Sequence, residues 1–257
     1  MDPNLEPSGY KPPTSAEELL ERYARGERSF PRARLIDQDL REANLRNSDL
    51  VDSDLSGSDA RGVSLQGARL LRSRFVRVNF GEADLSRARL DGADFSWANL
   101  SHARLDSAFA SGARFVRARM VGTSLREFFM MDGDFTEANL DGAQFQRARL
   151  YGVNLADSTL RRAFVHGSEV KAATMVDADL RGASLRDSVL CACDLSRAIL
   201  DMVVLERVRL ERSTFAGTSF GGTTLDAMDL SECVGLERAS HSGPSSATRS
   251  TLVLSRG

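Results

Sequence analysis

The chain has 257 residues, 42% of them apolar and 27% charged, and a net charge of −2. That balance selects neither a nucleic-acid nor an acidic partner, and no apolar run approaches the ~18 residues of a membrane span. Three cysteines, Cys191, Cys193 and Cys233, are too few and too irregular for a disulfide framework, and the N-terminus lacks a charged-then-apolar signal pattern, so a cytoplasmic protein with reduced thiols is expected.

Residues 1–13 carry four of the six prolines and read as a disordered leader. A short helix is predicted within residues 14–29. Thr14 or Ser15 supplies the N-cap, with an acidic residue three positions on, and Gly26 ends the helix. Leu19, Leu20 and Tyr23 share one face, which suits a lid over an open sheet end.

From Ala33 to Glu232 the chain divides into blocks of five with no insertion or deletion. The third residue of each block is a centre, from Leu35 to Leu230. All 40 centres are apolar, and 37 of the residues two before them are small. The exceptions are Gln38, Phe128 and Met228. A period of five fits neither a helix at 3.6 nor a strand at 2. It fits a chain that turns a corner every block and drives one side chain inward. Four blocks then close a twenty-residue coil, with large centres on the axis, small residues beside them and every charge outside. Phe30 sits in register, so coiling is expected over residues 30–232.

Blocks such as Ala93-Asp94-Phe95-Ser96-Trp97, Ala98-Asn99-Leu100-Ser101-His102 and Ala103-Arg104-Leu105-Asp106-Ser107 resemble the A(D/N)LXX signature of the pentapeptide-repeat family. The resemblance covers about four-fifths of the chain. It implies an all-β solenoid, a right-handed quadrilateral parallel β-helix of about ten coils, here with an N-terminal capping helix. At strand spacing such a rod is about 48 Å long. One departure is that Arg takes the place of Asp or Asn before nine centres, among them Arg34, Arg69, Arg74, Arg89 and Arg104.

Residues twenty apart should stack in columns. Phe75, Phe95, Phe115 and Phe135 then form an internal ladder. An outward group gathers Leu71, Phe109, Phe129, Met131 and Tyr151, and the same region breaks the rule twice, with the large Phe128 at a small position and the small Ala110 at a centre. Two readings stay open: Phe109 leans inward over Ala110 while Phe128 bulges its coil, or the aromatics form a contact patch for a partner or a second copy. After Leu230 the register is lost, so residues 233–257 read as a C-terminal cap and flexible tail, with His241–Ser246 as linker and Thr251–Leu254 as one short strand.

Catalytic, cofactor and metal sites are not expected. The histidines are scattered, and neither a phosphate-binding glycine loop nor metal-ligand spacing occurs. The resemblance implies a non-catalytic binding protein. Relatives of known role mimic DNA, bind DNA gyrase or topoisomerase IV and protect it from antibiotic poisons, usually as dimers joined end to end. A homodimer with a protein partner is therefore expected, without direct nucleic-acid or membrane contact. Charge fits this incompletely. A 48 Å duplex carries about 28 negative charges, whereas the 29 acids of the coils meet 26 basic residues. Mimicry would have to be local, at Asp134, Glu137, Asp157 and Asp177. The alternative is an interaction rod with an unrelated partner.

Overall fold

A computed structural model describes residues 9–248 and Thr251. The chain forms a parallel β-solenoid of the right-handed type, headed by one helix. Its backbone ladder joins residues twenty apart, from Ser29 with Asp49 onward. The Leu35 N–H donates to Asp54 O at 2.8 Å, and the Asp54 N–H donates back to Ala33 O at 2.9 Å. Most pairings are single bridges. Regular strands occur on two sides. On one, β1 (Phe129–Met131), β2 (Arg149–Tyr151), β3 (Glu169–Lys171) and β4 (Val189–Cys191) form a four-stranded parallel sheet. A second sheet joins β5 (Val204–Glu206), β6 (Thr224–Asp226) and β7 (Ser246–Ala247).

Burial alternates as the block rule requires. Centres and small residues form one continuous core, and each Leu or Phe buried there contributes roughly 1.5–3 kcal/mol before chain entropy offsets most of it. Phe75, Phe95, Phe115 and Phe135 stack with ring centroids 4.7, 4.9 and 5.0 Å apart, which is the spacing of neighbouring strands. At several small positions held by Ser or Thr, the buried hydroxyl finds a carbonyl in the turn below: Ser53 donates to Phe30 O, Ser73 to Leu50 O and Thr123 to Leu100 O.

Helix α1 spans Ala16–Ala24. The Ser15 hydroxyl accepts from the Glu18 N–H at 3.2 Å, and Gly26 follows the helix at φ +96°. Leu19 is fully buried, with Leu20 and Tyr23 packed against the core. Gln38, polar at a small position, is explained by this end. Its Oε1 accepts the Ala16 N–H at 3.0 Å, because the helix rather than another coil lies beneath it. Residues 10–13, expected to be disordered, instead lie on the first turn. Pro13 O accepts the Arg34 N–H at 2.9 Å, and the Tyr10 hydroxyl donates to Pro31 O. Residues 1–8 lie outside the described residues.

The tail also differs from its reading as linker. Thr214 pairs with Val234, Ser219 with Ser240 and Thr224 with Ser246. The offsets grow from twenty to twenty-one to twenty-two, so coiling continues for another stretch while a strict five does not. A 3-10 turn at Leu236–Arg238 takes up added chain. An apolar cavity of about 160 Å³, lined by Leu205, Phe215, Phe220, Leu225 and Leu236, remains within this end. Thr251 is buried and hydrogen-bonds Leu225 O; Leu252–Leu254 lie outside the described residues.

Candidate interaction surface

Phe109, Phe129 and Tyr151 lie on the side that carries β1–β4. Phe109 bridges Phe129, which bridges Arg149 in β2, and Met131 pairs with Tyr151. Ring centroids are 6.0 Å apart for Phe109–Phe129 and 6.1 Å for Phe129–Tyr151. Phe109 is 48% exposed and Met131 43%, while Phe129, Tyr151 and Leu71 are half-buried. The inward-leaning reading of Phe109 is therefore corrected.

Phe128 is fully buried, as are Ala110 and Met130. Ala110 lies one turn below Met130 in the ladder. The Met130 side chain reaches over Gly133, where its Cε occupies the space a Cβ would need. Phe128 and Met130 are thus both housed inside, with Met130 in the room left at Gly133, and Phe109 is left outside.

Charge frames the strip. Arg89 stands 6.0 Å from the Phe109 ring centroid and pairs with Asp91 at 3.0 Å. At the other end Lys171 pairs with Glu169 at 3.0 Å and lies 5.5 Å from the Tyr151 ring. The Tyr151 hydroxyl donates to Glu169 Oε2 at 2.7 Å. That hydrogen bond, with some burial, raises the Tyr151 pKa, and it lowers that of Glu169. From sequence, Arg89 and Arg149 stand out only as departures from the repeat signature, and Asp91, Glu169 and Lys171 do not stand out, although reading the columns twenty apart exposes all five.

The proposed acidic stretch is divided. Arg117 grips Glu137 at 2.7 Å and Arg197 grips Asp177 at 2.5 Å, and these hydrogen bonds lower both carboxyl pKa values. Arg117 also lies 4.8 Å from the Trp97 ring. Asp157 remains exposed between Glu137 and Asp177. Asp134 accepts from the backbone and hydroxyl of Thr136. Elsewhere, pairs one coil apart recur, as in Arg69–Asp49, Arg72–Asp52 and Arg207–Asp187.

Burial pushes the Cys193 and Cys233 thiols up to about 11, far from nucleophilic range at neutral pH. Among the described residues, no group of three His, Cys, Asp or Glu is placed to hold a metal ion, and no helix is long and apolar enough to cross a membrane.

The family model for pentapeptide repeats matches residues 29–67, 53–92, 93–130, 134–168 and 173–212. The chain belongs to the pentapeptide-repeat family. Among solved structures of pentapeptide-repeat proteins, HetL of Nostoc sp. strain PCC 7120, involved in heterocyst differentiation regulation, is 24% identical, with a TM-score of 0.50 over 86% of this chain and 96% of its own. A second Nostoc protein is 34% identical over 40% of this chain and 84% of its own, with a TM-score of 0.39. QnrB1, a plasmid-mediated fluoroquinolone resistance protein, is 22% identical over 60% of this chain and 77% of its own, with a TM-score of 0.41. The likeness to HetL speaks to the fold alone. No curated protein matches the chain.

Proposed function

We propose that this pentapeptide-repeat protein is a non-catalytic, cytoplasmic binding rod of about ten four-sided coils. Its contact face for a protein partner is the strip from Phe109 to Tyr151. The observation that carries this is the run of three outward rings on successive turns, set on the most regular sheet of the molecule. Exposed apolar groups rimmed by charge mark interaction sites. Replacing both Phe129 and Tyr151 with Ser should abolish capture of protein by a photocrosslinker placed at Met131, with the circular dichroism spectrum unchanged. Undiminished crosslinking would refute the assignment.

Family membership supplies a second reading: a type II topoisomerase, DNA gyrase or topoisomerase IV, is the partner and is protected from a poison through partial DNA mimicry. Asp157, exposed between Glu137 and Asp177, is the stretch we assign to it. The inter-coil ion pairs work against it, because they neutralise the carboxylates a DNA mimic must display. A supercoiling assay with a gyrase poison decides. Restored supercoiling would establish this reading, and no rescue at any concentration would remove it.

A further inference from the structure

We infer that the aromatic strip is occupied by a second copy of this chain, packed face to face and antiparallel about a two-fold axis through Phe129 and Met131. The inference rests on the strip being a contact face and adds its occupant and register.

The argument is charge complementarity. An antiparallel two-fold in the plane of the contact lays each column on its own copy with coil order reversed. Phe129 then meets Phe129 and Met131 meets Met131. Arg89 and Glu169 are each forty residues from Phe129 in one column, so each faces the other across the axis. Asp91 and Lys171 are likewise each forty from Met131. In the free chain, these residues already form Arg89–Asp91 and Lys171–Glu169 pairs. Stacking one pair on the other joins them into a four-charge network at both ends of the strip.

Phe109 and Arg149 are each twenty from Phe129, so the exposed Arg149 lands on the Phe109 ring, a cation–π arrangement. The relation continues outward, where Asp49 mirrors Arg209 and Asp52 mirrors Arg212. Asp132 meets its own like charge. It lies at a corner, with its Oδ1 in the space a Cβ on Gly152 would need, so its carboxylate runs along the rod.

Four strand spacings separate the Arg89 and Glu169 turns, about 19 Å. With a face three residues wide, the footprint falls well below the ~800 Å² per partner of a standard interface. The dimer is therefore weak, with dissociation on the order of tens of micromolar, and weaker still in high salt.

Sedimentation equilibrium from about 1 to 300 µM tests this. The wild-type chain should move from monomer to dimer across that range. Arg89→Glu and Glu169→Arg should each leave it monomeric, with an unchanged circular dichroism spectrum. The double variant should restore the dimer, because each introduced carboxylate then faces an introduced guanidinium across the axis. A wild-type chain that stays monomeric at 300 µM overturns the proposal. A dimer that forms but is not rescued by the double exchange overturns this register. A monomeric chain whose Met131 photocrosslinker still captures another protein keeps the contact face and removes only the second copy.

Discussion

The backbone at every fifth residue from Arg32 to Ala227 has positive φ, and at 28 of these corners the residue is not glycine. An L-residue there gives up roughly 1–2 kcal/mol, part of which glycine recovers against its larger unfolded-state entropy. Ala172 (φ 53°) and Ala192 (φ 55°) have little side chain to lose. Ala172→Gly and Ala192→Gly should each raise stability by about 0.5–1 kcal/mol, read as a shift in urea midpoint. Asp179 is the buried carboxylate of the surface lattice. Burial would raise its pKa, but hydrogen bonds from Arg181 and Arg161 override that and hold it at about 2. Its folded value lies below the unfolded one of about 3.9, so its contribution is complete above about pH 4 and is lost as pH falls through 2. Asp179→Asn should lower stability at pH 7 by about 1–3 kcal/mol and flatten the decline between pH 4 and 2 in acid titration of the unfolding midpoint. Leu100, on the axis and fully buried, should not tolerate Asp at all. Asn99→Asp costs about 1 kcal/mol, since Asn99 donates to Asn79 Oδ1 at 2.9 Å; a molten Leu100→Asp beside a cooperatively melting Asn99→Asp is the expected calorimetric contrast.

At the scale of elements, what could be read from sequence follows the strictness of the period. The phenylalanine ladder was legible because one side chain per block points inward and residues twenty apart must stack. Helix α1 was legible from Ser15, Glu18 and Gly26, each with a local physical role. The last stretch was not, because offsets of twenty-one and twenty-two have no signature in a reading by fives. The twelve glycines at corner positions, Gly57 and Gly62 among them, were the overlooked sign of the left-handed corner. The fate of Phe128 was equally hidden. Bulging and burial fit the same sequence, and the room that Met130 takes at Gly133, five residues on, is visible only in the folded chain. Phe128→Ala should therefore leave a cavity costing about 3–5 kcal/mol, measurable by denaturant unfolding, although alanine is what the repeat favours at that position.

For the whole molecule, the surface is a lattice of opposite charges joined between coils. Single exposed pairs contribute little, so their effect is on the long-range field. Arg117→Ala with Arg197→Ala releases Glu137 and Asp177 beside Asp157. If the topoisomerase reading holds, this doubly trimmed chain should inhibit gyrase supercoiling at lower concentration than the unaltered one, and an unchanged inhibition curve counts against mimicry on that column. The strip itself was half legible: its aromatics stood out, while its charged frame emerges only when columns are compared.

Since hydrogen bonds tie residues twenty positions apart, chain length is editable in fixed quanta. Excising twenty residues shortens the rod and leaves each remaining side chain on its original bearing. Excising five between Leu71 and Phe109 would pivot everything upstream by a quarter revolution. Leu71 would then leave the line of Phe109, Phe129 and Tyr151 without any of the four being mutated.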